Sequence, residues 1–368
     1  MELRQAAGSL MVVGLGGTEL TGLERACLRL VRPAGIILFR RNIDSPGQTR
    51  ELLNEAAALC APPALRCVDL EGGTVDRLRD ALAPMPSAQA VARAAKSAGK
   101  PSLVHQHGQL IARAVKAFGF NTTLAPVLDL GLPISAKVMG TRTAAESAAE
   151  VAAYARPFLA ALAEAGVAGC GKHFPGLGGG TLDSHLATPS IDRTGSVLWQ
   201  QDLVPYRELR GELPMVMVSH AAYPRTPGKD TPASVSRYWI EAVLRKRIGY
   251  KGLVFSDDLE MGGILNVMPM EEAAIAAVRA GMDLIEICHS PELILRAFEA
   301  LLREAERSRA FRTLLLARAR RTQKERARLF SAKPAAALSS TQLDALRSRI
   351  QRFSERIGSL QPTEAHTA

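Results

Sequence analysis

The run VAGCGKHF, Val167–Phe174, is apolar on consecutive residues, ends in Lys172 and His173, and opens into the glycine-rich stretch PGLGGGTLDSH, 175–185. A strand with one face in water alternates apolar and polar residues. A strand covered on both faces does not, so this run belongs in a parallel sheet flanked by helices. Seven more runs of the same kind lie outward from it: LMVVGL (10–15), GIILF (35–39), RCVDL (66–70), TLAPVLDL (123–130), MVMVSH (215–220), LVFSDD (253–258) and LIEIC (284–288). Each is followed by a segment long enough for a helix. Eight β-α units in about 330 residues predict an α/β fold, a single (β/α)8 barrel of the TIM type, with a doubly wound open sheet as the alternative.

The polar residues favour the barrel. Asp69, Asp129, Lys172 with His173, His220, Asp257 with Asp258, and His289 each stand at the C-terminal end of a different predicted strand. In a barrel those ends meet at one mouth, where active sites form. The loop after Phe174 carries Asp183 two residues before His185, a pairing that suits proton transfer delivered to a site on a mobile segment.

The 368 residues, 47% of them hydrophobic, are enough for one barrel-sized core. No apolar run approaches the roughly 18 residues of a membrane span, and the N-terminus shows no secretory cleavage site. The five cysteines are scattered in apolar surroundings without ligand spacing, as in a reduced cytoplasmic protein. No metal or other cofactor is expected. The net charge of +10 is densest in RARRTQKERARLF and RSRIQRFSER, where aromatics are sparse, so solvated helical faces are expected rather than a nucleic-acid partner.

The catalytic unit is placed at 1–330, ending in an Ala/Arg helix over about 291–329, and a linker with one amphipathic helix at 331–368. That last helix has Leu343, Leu346, Ile350, Phe353 and Ile357 on one face, Thr341 with Asp344 as its capping box and Gly358 as its stop. It is expected to pack back on the barrel of a monomer, with a dimer contact as its other use.

CVDLEGGTVDRL, GFNTTLAPVLDL, GKHFPGLGGGTLDSH, VMVSHAAYP and LVFSDDLEM stand in the order and at about the spacing of glycoside hydrolase family 3. Within that family they resemble the β-N-acetylglucosaminidases of the bacterial NagZ type, over about residues 8–290. The resemblance places the nucleophile at Asp257 and the acid/base at His185, oriented by Asp183. Chemistry agrees: a retaining glycosidase needs an ionised carboxylate to form a covalent glycosyl-enzyme, and an imidazole can give and recover the leaving-group proton. Asp258 has a competing use as a helix N-cap.

Asp69, Lys172, His173 and Arg142 are expected around the sugar, with Arg77 supporting them. Lys172 can also serve simply to neutralise carboxylates, and Asp129 and His220 can be structural. Leu70, Leu177 and Gly179 depart from the family pattern, which has Gln, His and Asp there.

The implied activity is retaining hydrolysis of terminal β-linked GlcNAc from small glycans, GlcNAc-(anhydro)MurNAc peptidoglycan fragments, without membrane or nucleic-acid partners. A phosphorylase on the same scaffold and a sugar-binding barrel without catalysis are the alternatives.

Overall fold

The computed structural model describes residues 1–181, 188–330 and 336–360. Eight parallel strands close into a barrel: β1 (Met11–Gly14), β2 (Gly35–Leu38), β3 (Leu65–Val68), β4 (Thr122–Thr123), β5 (Ala168–Phe174), β6 (Met215–Val218), β7 (Leu253–Asp258) and β8 (Leu284–Ile287). Neighbours in sequence are neighbours in the sheet, and β1 closes on β8 with Met11 opposite Ile285. All eight expected runs are strands of this barrel, and the open sheet is excluded.

The side chains explain why the runs are uniformly apolar. Val12, Ile37, Leu65, Cys67, Ala168, Cys170, Met215, Met217, Leu253, Phe255 and Leu284 fill the barrel interior as one buried cluster. The residues between them, such as Val13, Ile36, Val68, Val216, Val254 and Ile285, pack in a second cluster with the helices. Successive residues point to opposite faces, and both faces are dry.

Strand β4 is shorter than expected. Pro126 has no N–H to give the ladder, and regular pairing stops before it. Beyond it the chain still follows β5, through Lys172 N to Pro126 O at 3.2 Å and Leu128 N to Lys172 O at 2.6 Å.

The expected Ala/Arg helix is two helices, Pro291–Arg307 and Arg309–Leu329, broken at Ser308, whose hydroxyl accepts from Phe311 N. Most basic residues of the second one are exposed, as expected of a solvated face (Arg309, Arg312, Arg320, Lys324 and Arg328), but Arg321 and Arg326 turn into the structure. Arg326 is buried and donates to the carbonyls of Ala34, Ala61 and Pro63 at 2.7–2.8 Å, below the strand N-termini. Arg321, with Arg245, converges on the buried Asp283 carboxylate.

The C-terminal helix, Ser340–Ser359, lies on the helices Ala88–Ser97 and Ser102–Ala117 and buries Leu346, Ile350, Phe353 and Ile357. Its cap is Ser339 with Gln342, not Thr341 with Asp344. Ser339 has the extended backbone a cap requires, and its hydroxyl accepts from Gln342 N at 3.3 Å. Asp344 instead pairs with Arg347 at 2.7 Å, and the helix runs through Gly358 to Ser359.

Phe353 stacks on the buried His107 imidazole, centroids 6.1 Å apart. Phe353→Ala should cost about 3–5 kcal/mol, read as a lower urea midpoint together with earlier proteolytic release of the C-terminal helix. An unchanged midpoint would mean that the helix contributes nothing to the barrel's stability.

Among the described residues no helix is long and apolar enough to cross a membrane. All five cysteines are unpaired and buried.

Candidate active site

Following the inward parity of each strand one step past the apolar interior leads to the mouth. Leu65 and Cys67 lead to Asp69, Ala168 and Cys170 to Lys172, Leu253 and Phe255 to Asp257, and Ile37 to Phe39. Apolar layers fill the barrel and a charged layer caps it.

The charges form one connected network. Lys172 Nζ reaches Asp69 Oδ1 at 2.8 Å and Glu71 Oε1 at 2.7 Å. Arg142 grips Glu71 through Nε and a terminal nitrogen at 2.9 and 2.8 Å. The same guanidinium lies 3.3 Å from His173 Nε2, and His173 Nδ1 is 2.6 Å from Asp129 Oδ2. Asp129 therefore accepts from Nδ1–H, which leaves Nε2 to accept from Arg142. The other Asp129 oxygen accepts from Leu177 N at 2.7 Å, which fixes the base of the glycine-rich loop. Arg77 completes the chain at 3.6 Å from Asp69.

Burial alone would raise the pKa of Asp69 and Glu71 and lower that of Lys172. Their mutual attraction overrides burial in each case. Lys172 and Arg77 hold Asp69 well below its ordinary value, Arg142 and Lys172 hold Glu71 at about 2, and Asp69 with Glu71 push Lys172 up. Asp69, Glu71 and Lys172 are thus held in their charged forms, with fixed donors and acceptors facing the mouth.

Glu71 is a network residue that sequence reasoning missed. It sits on a hairpin, Leu70–Gly72 with Val75–Asp76, that follows β3. The hairpin needs its glycines: Gly72 has φ +93°, and a Cβ there would lie 2.2 Å from Pro86 O. The EGG sequence was the available signal, a glutamate delivered by a turn only glycine can make.

Strand β7 departs from simple alternation. Leu284 lies opposite Phe255 but Glu286 opposite Asp258, so β7 carries one extra residue there. Both carboxylates consequently border the mouth. Asp257 acts on the buried His220, whose Nε2 lies 2.9 Å from Asp258 O and whose Nδ1 lies 2.7 Å from Ser234 Oγ. Burial lowers the His220 pKa, and Asp257 only partly offsets that, so a neutral imidazole holds the strand end in place.

Asp258 is not a helix N-cap. Its Oδ1 accepts from Glu260 N at 3.0 Å within a turn, and the next helix, Gly262–Leu265, begins after Met261.

Glu286 is the second missed residue. It lies in an apolar run, with Leu284 and Cys288 on the same inward parity. It is buried, one oxygen has no partner among the described residues, and burial with Asp258, Asp69 and Asp257 nearby raises its pKa well above the ordinary value. Both effects favour its protonated form in the floor of the mouth.

Asp258, Glu260 and His289 offer donor atoms all within 4.8 Å of one another, the group among the described residues with the spacing to hold a cation. Their hydrogen bonds are already closed: His289 Nδ1 lies 3.0 Å from Glu260 Oε2, and Ser290 N 2.7 Å from its Oε1.

Asp183 and His185 lie outside the described residues. The flanks of their segment are tied to the mouth, at Leu177 through Asp129 and at Thr188, whose hydroxyl donates to Gly263 O at 2.7 Å, just beyond the Asp257 strand. Two of the departures have local explanations. Leu177 is buried, and the stem of Arg193 occupies the space beside Gly179, where a Cβ would fall 2.6 Å from Arg193 Cδ.

Residues 4–322 match the glycosyl hydrolase family 3 N-terminal domain. The chain belongs to glycoside hydrolase family 3. It is a glycoside hydrolase, and its relatives within the family are β-hexosaminidases. That of Alkalilimnicola ehrlichii is 41% identical over 287 residues, covering 77% of this chain and 82% of the relative. That of Pseudomonas aeruginosa is 38% identical over 297 residues, covering 80% and 87%.

Two solved structures share the fold, the first of them a family 3 enzyme. The β-N-acetylglucosaminidase from Paenibacillus sp. superposes with TM-score 0.86 at 32% identity over 96% of this chain and 69% of that one. NagZ from Neisseria gonorrhoeae gives 0.76 at 28% identity over 96% and 98%.

Proposed function

We propose that this family 3 enzyme is a retaining exo-β-N-acetylglucosaminidase acting on GlcNAc-(anhydro)MurNAc fragments of peptidoglycan in the cytoplasm. One observation carries the reading. Asp69, Asp129, Lys172 with His173, and the Asp257 carboxylate stand at or just past the ends of different strands around one mouth, and Glu71, Arg77 and Arg142 join them from the connecting segments. The β-hexosaminidase names of the relatives supply the sugar class.

Asp69, Lys172, Arg142 and His173 hold the hydroxyls of the terminal sugar. Asp257 attacks the anomeric carbon as His185, oriented by Asp183, protonates the departing oxygen. This gives a glycosyl ester on Asp257 and a free aglycone alcohol. His185 then takes a proton from water, whose oxygen attacks the anomeric carbon from the face the aglycone left and displaces the Asp257 carboxylate, so configuration is retained.

The rim supports an acidic aglycone. His289 stacks on Phe39 with centroids 5.5 Å apart, and the Arg41 and Arg77 guanidiniums lie 4.7 and 5.7 Å from that ring. A lactyl or peptide carboxylate would meet cationic and aromatic groups there.

The test is the initial rate of aglycone release from a chromogenic β-GlcNAc glycoside beside the matching β-glucoside, with and without phosphate. Preference for GlcNAc by about 100-fold or more, with GlcNAc as product in both buffers, is the expected result. GlcNAc-1-phosphate as the product would show a phosphorylase. No release from either sugar by folded protein would leave a binding barrel.

A further inference from the structure

The arginines of the two basic segments have different fates. In the helix Arg309–Leu329, Arg321 and Arg326 are tied to carbonyls or to Asp283. In the C-terminal helix, away from the mouth, Arg347 is tied likewise, to Leu82 O at 2.9 Å and to Asp344, whereas among the described residues Arg349, Arg352 and Arg356 are not.

Arg349, Arg352 and Arg356 recur at intervals of three and four on one face of the helix Ser340–Ser359. Gln106, Gln109 and Arg113 recur at the same intervals on the facing helix, Ser102–Ala117. Together they wall a cleft of about 240 Å³ that has Phe353 at its base and, among the described residues, no carboxylate in its lining.

Among the described residues, none of the four guanidiniums has a hydrogen-bond or ion-pair partner. Arg303, by contrast, reaches Glu299 one turn away at 3.0 Å. Glu355, the acid between Arg352 and Arg356 in sequence, is exposed and does not line the cleft.

An unsatisfied arrangement of this kind has a cost. Arg352 and Arg356 form an i,i+4 pair of like charge, which opposes the helix. Bringing the two helices together adds Arg113 to the same hollow. Guanidinium forks beside carboxamide donors match oxygens spread over linked tetrahedral groups, and Arg makes such contacts bidentate. The volume is below the roughly 300–1,000 Å³ of a site for a drug-sized ligand, so the occupant is compact and highly charged.

We propose that this cleft is a binding site for a multiply charged phosphate anion, a diphosphate or triphosphate group, independent of the glycosidase mouth. Two-walled concavity favours a compact anion over a nucleic acid or a lipid surface, either of which would seat on an extended basic stripe.

The experiment is calorimetric titration of the full chain with tripolyphosphate, pyrophosphate, a nucleoside triphosphate, orthophosphate and sulfate. Ionic strength is held constant with NaCl. A single saturable site is expected, with tripolyphosphate at least about tenfold tighter than orthophosphate or sulfate. Arg352→Ala with Arg356→Ala should weaken it by about tenfold or more, while Arg303→Ala leaves it unchanged. These are exposed side chains, so circular dichroism should show the double variant folded. Equal affinity of pyrophosphate, tripolyphosphate and the nucleotide would assign a diphosphate unit as the ligand. Tighter binding of the nucleotide would assign a nucleotide-borne phosphate.

Absence of saturable binding, equal response to sulfate, or equal weakening by Arg303→Ala would overturn the proposal. So would tighter binding of a single-stranded oligonucleotide or of anionic phospholipid vesicles through the same arginines.

Discussion

Asp257→Asn should abolish aglycone release, lowering kcat by on the order of 10⁴–10⁶-fold, as loss of a covalent nucleophile does. The carboxamide keeps the shape of the carboxylate and can still accept from Asp258 N, as Asp257 Oδ1 does at 3.0 Å. It lacks the negative charge that the covalent step requires. Folding should be nearly unaffected, because the side chain is half-exposed and has no cationic partner among the described residues. Binding of GlcNAc glycosides should survive, since the sugar-facing network does not include this residue. Initial rates paired with calorimetric affinity separate the two effects. A variant that retained a tenth of the activity would remove Asp257 from the nucleophile's place.

Glu71→Gln acts on stability and binding together. The glutamate is 3% exposed and stands between Arg142 and Lys172, accepting two bonds from the first and ion-paired with the second. A carboxamide keeps one acceptor oxygen and turns its NH₂ toward one cation. The two cations then stand beside Asp69 and Asp129 with one negative charge fewer. Breaking a buried pair in this way costs about 3–5 kcal/mol, so a large fall in Tm is expected, with a raised KM as Lys172 and Arg142 lose their alignment.

The acid limb of the stability profile carries the same signature. Arg142 and Lys172 depress the Glu71 pKa from 4.5 to about 2 against the opposing effect of burial. A carboxylate with a depressed folded pKa stabilises above its unfolded value and loses that contribution as pH falls through its folded value. The unmodified protein should therefore lose stability between about pH 4.5 and pH 2, and Glu71→Gln should lose less there. Thermal unfolding at stepped pH measures it, and parallel acid limbs in the two proteins would contradict the assigned ion pairing.

The barrel was readable because burial on both strand faces leaves uninterrupted apolar runs, and all eight of them stand in the sheet. The same regularity placed Asp69, Lys172 and Asp257 at the mouth, since each continues the inward parity of its strand. What parity alone hid is instructive. Asp258 lies at the mouth because β7 has an extra residue opposite β8, and such an insertion has no mark in the sequence. Glu71 reaches Lys172 only because a glycine hairpin folds it back.

The alternative for Lys172, balancing carboxylates, is compatible with a sugar contact: Nζ bridges Asp69 and Glu71 within the layer that faces the mouth. Asp129 ties His173 to the loop base, which favours the supporting role left open for it. The basic character of the chain was the least readable feature. Arg326 is buried under the barrel and Arg352 is exposed beside a cleft, and nothing in the two Arg-rich segments distinguishes them before the helices are packed.

The central claim, a covalent sugar on Asp257 at this mouth, is tested most directly by trapping. The enzyme is mixed with an activated, slowly hydrolysed fluorinated GlcNAc donor, quenched, digested and sequenced by mass spectrometry. One sugar on the peptide that contains LVFSDDLEM, located at Asp257, is the predicted result. A sugar on another residue, or turnover that traps nothing and releases product of inverted configuration, would contradict it.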